Sequence, residues 1–459
     1  MGQTAAPDLR ENKMQTMPVG KLLFTMALPL AVSMLVQALY NVVDSIYVSQ
    51  VSESAVTALS LAYPIQNLLI GFSTGVAVGV NSLMSRSLGG GDRECANRTA
   101  GNGIVLMLAC VVLFVLFGFF AARPYFTMQS EVTETVEGGA AYISVCTVFC
   151  MGIFTEVLCE RMLQATGKTI YTLFTQGLGA VINILLDPVF IFGKFGIPAM
   201  GIAGAAVATV IGQWIAAILA IIFNITANRD IQFRLRYLRP EKKVVKQILL
   251  VGVPSLVMIA IGSVMSFGMN QILLGFKDLG ETAAGVFGVY FRLQSFFLMP
   301  VVGLNNAAIS ILAFNFGAKQ PKRIMEALKK GIGAAIVIML VGVLVFQLLP
   351  DQLMSIFKPS ESFRTIGVGA LRTISIHFPL AAVCILLGAS FQALGDGIYS
   401  TVTSLCRQLF ALLPAAYLLS LTGNVNAVWW SFPIAELVSL LASVLFFRRI
   451  YQQKIRPLL

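Results

Sequence analysis

The sequence predicts an all-α integral membrane protein with twelve transmembrane helices in two parallel six-helix repeats. Of its residues, 57% are hydrophobic and only 12% are charged, whereas soluble globular chains carry about 25% charge. Twelve apolar runs are long enough to cross a bilayer core of about 30 Å, which takes about 20 helical residues. Two motifs also recur in the second half at one constant spacing. A soluble globular fold is therefore excluded.

The apolar runs divide into two sets of six around a basic segment. The first set lies near 20–49, 56–85, 100–122, 138–160, 170–193 and 201–226, and the second near 247–275, 283–313, 331–349, 365–392, 398–421 and 425–447. We therefore expect a cytoplasmic tail at 1–18, a first lobe at 19–226, a cytoplasmic linker at 227–246 and a second lobe at 247–459.

Basic residues are distributed unevenly between the two sets of loops. With the N-terminus placed in the cytoplasm, 24 of the 32 basic residues fall in the tail, the inner loops and the linker. The opposite loops hold only Arg123, Lys194, Lys277, Lys358 and Arg364. By the positive-inside rule, both termini are expected in the cytoplasm of a multi-pass plasma-membrane protein. The same placement accounts for the net charge of +11 without a nucleic-acid partner.

Two pairs of motifs indicate an internal duplication. SLGGGDRECANR after the second run matches NFGAKQPKRIME after the eighth, and LQATGKT in the fourth matches FQALGDG in the tenth. Gly89 and Gly317 are 228 positions apart, and so are Gly167 and Gly395. Six crossings per repeat give both halves the same orientation, which predicts a central site at the interface between the two halves. Membrane lipid is expected to surround them. We expect the protein to function as a monomer.

Polar residues in the first helix share one face. Gln37, Tyr40 and Asp44 follow the i, i+3, i+7 spacing that brings side chains together on a helix. Because ionisable side chains are costly inside a bilayer, each is a candidate functional group. This face should therefore point toward the protein interior rather than toward lipid.

A second acidic residue in the first half lies on the fifth helix. Asn183 precedes Asp187 by one turn, and Pro188 leaves the carbonyl of Ile184 without its usual backbone donor. Oxygen ligands of this kind suit Na⁺, and two neighbouring carboxylates can instead share a proton. The alternative is that Asp44 and Asp187 pair with arginines or cap backbone groups. It is less favoured because neither helix has a basic residue in the same stretch.

Other ionisable residues lie within the predicted spans. Glu156 and Glu160 are one turn apart beside Arg161, and we expect a glutamate–arginine pair at the membrane interface there. Arg407 and Glu436 are expected to be structural partners, although one of them could contact a substrate. The only histidine, His377, could relay protons, but a satisfied interior histidine is the commoner case.

Motifs for catalysis or nucleotide binding are missing from the sequence. The glycines of SLGGGDRE are not followed by GK[ST], and a single histidine excludes an HExxH zinc site. We therefore expect no enzyme activity and no cofactor, with transport driven by a gradient of H⁺ or Na⁺.

The chain resembles the MATE multidrug exporters of the MOP flippase superfamily, and within them the DinF-like branch. The residues that carry the resemblance are Pro29, Gln37, Tyr40 and Asp44 in the first helix, NILLDP in the fifth, GIAGAAVAT in the sixth and the LQATGKT/FQALGDG pair. The resemblance implies a V-shaped pair of six-helix lobes and cation antiport by rocker-switch alternating access. The carboxylate that the NorM branch carries on the seventh helix is missing from GVPSLVMIAIGSVMSF.

The resemblance also implies a set of site residues. In the DinF-like branch, the cation site lies in the first lobe, which here assigns it to Asp44, Asn183, Asp187 and Thr209, with Na⁺ at the first three as one option. Candidate residues of a substrate cavity are Gln37, Tyr40, Asn270, Gln271, Tyr290 and Gln294.

The leading interpretation is a cation-coupled exporter of amphipathic or cationic small organic compounds. One alternative is a flippase for a lipid-linked substrate, although such proteins tend to have extra helices and a more cationic cavity. A membrane-embedded transferase is an alternative of a different class. It would require acid or histidine clusters in a loop at the membrane edge, and the loops here are short.

Overall fold

The computed structural model describes residues 12–277, 279–357 and 360–459. Residues 1–11 of the expected tail and Lys358 lie outside these ranges. Every regular element within them is helical. Ten of the described helices are long and apolar enough to cross a membrane, and two bent helix pairs bring the total to as many as twelve. The predicted fold class is confirmed.

Each half contributes six spans in chain order. The first-lobe spans are α1 (Val19–Ser49), α2 (Glu53–Gly89), α3 (Arg93–Phe120), α4 (Thr133–Val148 and Met151–Ala165), α5 (Ile170–Phe192) and α6 (Ile202–Thr226). The second-lobe spans are α7 (Lys242–Leu274), α8 (Gly280–Gly317), α9 (Pro321–Leu348), α10 (Glu361–Ser375 and Phe378–Ala393), α11 (Gly397–Ser420) and α12 (Ser431–Ile450).

The bent spans occupy equivalent places in the two halves. The two parts of α4 meet at an angle of 46°, and those of α10 meet at 48°. The breaks follow Val148 and Ser375, so the fourth span of each repeat changes direction near its middle. Helix α11 is π-helical over Cys406–Leu412, just before Pro414, which has no N–H to donate to the preceding turn.

The lobes meet chiefly along three helix pairs, with α1 packed on α8 and α2 packed on both α7 and α8. A Cβ built on Gly75 would lie 2.8 Å from the carbonyl oxygen of Gly252, and the reverse holds for Gly252 against Gly75. Small residues therefore let the α2 and α7 backbones touch. Nearer the end that carries both described termini, Ser82 donates to the carbonyl of Gln392 across the seam (2.6 Å).

The predicted linker packs against the first lobe instead of hanging free. The backbone N–H of Gln232 donates to Asn97 Oδ1 (2.8 Å), and that of Glu241 donates to Asn102 Oδ1 (2.7 Å). Both asparagines are buried on α3. The segment between the lobes is thus held to α3 by side-chain hydrogen bonds.

Candidate functional site

Close packing of α5 against α6 positions the centre of the first lobe. A Cβ built on Gly212 of α6 would lie 2.8 Å from the carbonyl oxygen of Gly179 on α5. The two helices therefore approach closely enough for short polar side chains to meet one turn further along. Helix α1 packs on the other side of α5. Three helices thus converge on one buried region.

The side chain of Asn183 is the centre of this region. Its Nδ2 atom donates to Thr209 Oγ1 (3.1 Å) and makes a longer contact with Asp187 Oδ1 (3.5 Å). Asn183 and Asp187 are 2% and 0% exposed. Because the amide nitrogen faces these two partners, the amide oxygen Oδ1 is directed elsewhere. The structure therefore brings together three of the four residues assigned to cation coupling.

Three buried oxygens here have no hydrogen-bond partner among the described residues: Asp44 Oδ1, Asn183 Oδ1 and Asp187 Oδ2. Asp44 on α1 lies within electrostatic range of Asp187 on α5. Buried polar atoms without partners are rare in proteins and mark sites for an ion, a proton or water. Carboxylate and amide oxygens are hard donors, the class of ligand that binds hard cations.

Further polar side chains border these oxygens. Tyr40 lies within electrostatic range of Glu156, Asp44 and Asp187. Nearby, Gln66 Nε2 donates to the hydroxyl of Tyr142 (2.6 Å). Gln66 and Tyr142 were not predicted as site residues, although an amide in mid-span is a signal of the kind that singled out Gln37 and Asn183.

Other sequence-predicted residues lie apart from this centre. Gln37 is exposed on α1. Asn270 is half-buried and Gln271 is exposed, both in the last turns of α7. Tyr290 and Gln294 are buried in α8. No hydrogen bond among the described residues joins the α7 pair to the α8 pair. A shared substrate cavity for these six residues stays a prediction.

Arg161 and Glu160 lie within electrostatic range of each other, but the hydrogen-bond partners of both are uncharged side chains. Glu160 is buried and accepts hydrogen bonds from Thr175 Oγ1 (2.5 Å) and Gln176 Nε2 (2.9 Å) on α5. Arg161 instead donates to Gln164 Oε1 (3.0 Å). Glu160 faces α5, where uncharged donors bind it, whereas Arg161, the next residue on the helix, points in a different direction.

The predicted pair in the second lobe is present. Arg407 Nη1 lies 3.4 Å from Glu436 Oε2. His377 is buried at the break in α10, and its Nδ1 donates to the carbonyl of Ile374 (2.5 Å). His377 is therefore an interior histidine whose Nδ1 is hydrogen-bonded, as expected, and its Nε2 takes no part in that bond.

Comparisons with known proteins agree with this architecture. The MatE family model matches residues 29–189 and 254–418, one match in each half. The multidrug export protein MepA of Staphylococcus saprophyticus is 24% identical over 91% of both chains. The probable multidrug resistance protein YoeA of Bacillus subtilis is 24% identical over 98% of both chains.

Solved structures share the fold over nearly the whole chain. One is described as the outward-facing conformation of a multidrug resistance MATE family transporter of the MOP superfamily. It is 25% identical, with a TM-score of 0.91 over 98% of both chains. A MATE structure in complex with MaL6 is 25% identical, with a TM-score of 0.90 over 98% of this chain and 99% of that one. The two family matches, the twelve-span architecture and the full-length structural likeness show that this chain belongs to the MatE family and is a multi-pass membrane transporter, not an enzyme.

Proposed function

We propose that this transporter is a cation-coupled antiporter that exports amphipathic or cationic small organic compounds across the plasma membrane. The observation that carries the proposal is the set of partnerless buried oxygens on Asp44, Asn183 and Asp187. Relatives named for multidrug export that align over nearly the full chain favour export of small compounds over flipping of a lipid-linked substrate. The uneven distribution of basic residues supports a cytoplasmic position for both termini.

The coupling chemistry follows from two carboxylates facing one buried region. When both are ionised, Asp44 and Asp187 repel each other. The repulsion is strong because little water is present in the buried region to screen the two charges. A proton on either carboxylate, or a Na⁺ ion between them, removes the repulsion and draws α1 toward α5. Asn183 and Thr209 would orient the ligand oxygens, and Thr209 Oγ1, which accepts from Asn183 Nδ2, has one lone pair left for a cation.

Cation binding can reach the other lobe through α1. This helix contacts α5 on one side and α8 of the second lobe on the other. Pro29 lies within α1 and removes one backbone hydrogen bond, so the helix can bend there at a low cost. A change in the α1–α5 contact would therefore alter the seam between the lobes, which is what alternating access requires.

The test is transport in proteoliposomes with pH and Na⁺ gradients imposed separately. Asp44→Asn and Asp187→Asn should each abolish gradient-driven export of a fluorescent cationic dye, while insertion into the membrane is retained because a neutral side chain is cheaper to bury. The matched control is Asp351→Asn, which removes an exposed carboxylate paired with Arg364 (2.8 Å). Wild-type export by either site variant would contradict the proposal.

A further inference from the structure

The second lobe contains a buried polar centre that the proposed cation coupling does not use. We name it the Arg407 centre, and its members are Tyr290 on α8, His377 at the break in α10, Arg407 on α11 and Glu436 on α12. Tyr290 and His377 both lie within electrostatic range of Arg407 and Glu436. Four helices therefore direct polar side chains to one point inside the lobe.

Arg407 lies in mid-membrane. It is the eleventh residue of α11, which runs from Gly397 to Ser420, and it falls in the π-helical segment Cys406–Leu412. A charged side chain at this depth is costly and is normally retained for function. Segments of π-helix inside α-helices also occur often at functional sites. Both features single out Arg407 among the arginines of the second lobe.

The pairing of Arg407 is incomplete. A guanidinium has five N–H donors, and within the described residues only Nη1 has a partner, Glu436 Oε2 at 3.4 Å. By hydrogen-bond geometry, neither Glu436 Oε1 nor the Tyr290 hydroxyl, both buried, has a partner among the described residues. A purely structural ion pair in the membrane interior should be short and bidentate, with its remaining atoms satisfied. The Arg407 centre instead keeps free donors.

The pair also has a direction. The side chain of Arg407 is 32% exposed, whereas that of Glu436 is 3% exposed. The carboxylate therefore lies behind the guanidinium, and the guanidinium is the part that a ligand can reach. Phe432 packs against two other members of the Arg407 centre, with ring centroids 5.8 Å from Tyr290 and 5.9 Å from His377. Aromatic rings are thus part of the same centre as the free donors of Arg407.

We propose that the Arg407 centre recognises a carboxylate on a flat aromatic substrate. In the empty site Glu436 holds the guanidinium, and a substrate carboxylate takes the free N–H donors in bidentate fashion with the Tyr290 hydroxyl as an additional donor. The substrate ring packs against Phe432. The proposal extends the export function proposed above by naming a substrate class, whereas the first-lobe carboxylates handle the coupling cation.

The test is equilibrium binding to the full-length protein in lipid nanodiscs, without any gradient. The probes are a rhodamine that carries a free aromatic carboxylate and its methyl ester, followed by fluorescence anisotropy. The wild-type protein should bind the free acid about ten-fold more tightly than the ester. Arg407→Gln should remove this preference, and the matched control Arg372→Gln, an exposed arginine on α10, should keep it.

A second variant separates recognition from a structural role. Glu436→Gln should tighten binding of the free acid, because it removes the intramolecular competitor for the guanidinium, whereas loss of a structural ion pair would weaken binding of both dyes. If Arg407→Gln does not insert, Arg407→Lys decides the question. Lysine keeps the positive charge but cannot donate two parallel hydrogen bonds to a carboxylate. The preference of the Arg407→Lys protein for the free acid should therefore be smaller than that of the wild-type protein.

The outcomes that overturn the proposal are clear. They are equal affinity of the wild-type protein for the two dyes, no binding of the free acid, or an undiminished preference in the Arg407 variant tested. Asp44→Asn and Asp187→Asn should leave the preference unchanged, because these residues lie in the other lobe. The binding preference for the free acid should therefore persist even if the coupling proposal is wrong, and the two proposals can fail separately.

Discussion

Gly89 and Gly317 occupy equivalent positions in the two repeats, and each lies against the backbone of the other half. A Cβ on Gly89 would collide with the carbonyl of Phe314, and a Cβ on Gly317 would collide with the carbonyl of Arg86. Because Phe314 and Arg86 are also 228 positions apart, the contact is symmetric about the axis that relates the repeats. The ends of α2 and α8 therefore meet without room for any side chain.

This contact predicts that Gly317→Ala opens the seam at this end of the molecule. Backbone atoms cannot move aside as a flexible side chain can, so we expect the free energy of unfolding to fall by about 1–3 kcal/mol. The thermal unfolding midpoint should fall, and a cysteine placed at the buried Ser82 should react faster with a maleimide. Gly333→Ala on α9, where a Cβ meets nothing within 4 Å, should change neither. An unchanged midpoint in Gly317→Ala would show that the helices can separate freely.

The fold could be predicted well because its determinants are local. Apolar runs of bilayer length and basic loops are properties of short segments, and they identified all twelve spans, including the two that the structure shows as bent pairs. Asp44, Asn183 and Asp187 could be predicted because a polar group in an apolar run stands out. Grouping them with Thr209 required the family resemblance, because no pattern in the sequence indicates that α5 and α6 are neighbours at that depth.

Glu160 shows where local reasoning fails. Its sequence neighbour Arg161 suggested an ion pair, but the partners are Thr175 and Gln176 on the next helix. The two parts of α4 also meet at an angle of 46° before Glu160 is reached. The stretch Phe149–Cys150 contains no proline or charged residue from which the bend could be predicted. The contact is a tertiary property, and a residue pattern read along one helix does not contain it.

The Glu160 contacts predict a structural role that can be separated from transport. Glu160→Ala would leave the Gln176 amide without its acceptor, which should cost about 1–3 kcal/mol of stability. Glu326→Ala is the matched control, because it removes a carboxylate from an exposed pair with Lys330 (2.6 Å) and should cost at most about 0.5 kcal/mol. Thermal unfolding in detergent measures both. Export per inserted Glu160→Ala molecule should match the wild-type protein, and a loss of export with normal stability would place Glu160 in the coupling site instead.

The charge distribution predicts the orientation of the chain in the membrane. In a background without the seven native cysteines, single cysteines at Met128 and Leu421 should react with an impermeant maleimide added to intact cells, because both positions are highly exposed and lie in loops assigned to the outside. Cysteines at Gly90 and Gln320 should react only after the membrane is opened. Labelling of Gly90 in intact cells would invert the topology or change the number of spans.

The last prediction concerns the asymmetry between the lobes. The second lobe has its own buried acid, Glu436, but Arg407 already balances its charge. Asp44 and Asp187 have no such partner among the described residues, so a cation or proton gains most free energy by binding in the first lobe. Asn270 and Gln271, near the position equivalent to Asp44, can donate and accept hydrogen bonds but cannot take up a proton. They can therefore influence substrate choice but not coupling.

Asn270→Ala and Gln271→Ala should accordingly change which dyes are exported, or how tightly they bind, while substrate-stimulated cation flux in proteoliposomes persists. Asn183→Ala is the same change in the first lobe, and it should reduce cation flux because the amide that orients the site, bonded to Thr209 at 3.1 Å, is lost. Complete loss of cation flux in an inserted Asn270→Ala protein would mean that the coupling site spans both lobes. In that case α7 would have to reach the first-lobe carboxylates in another state of the transport cycle, and the charge balance between Arg407 and Glu436 would no longer explain why the first lobe alone binds the ion.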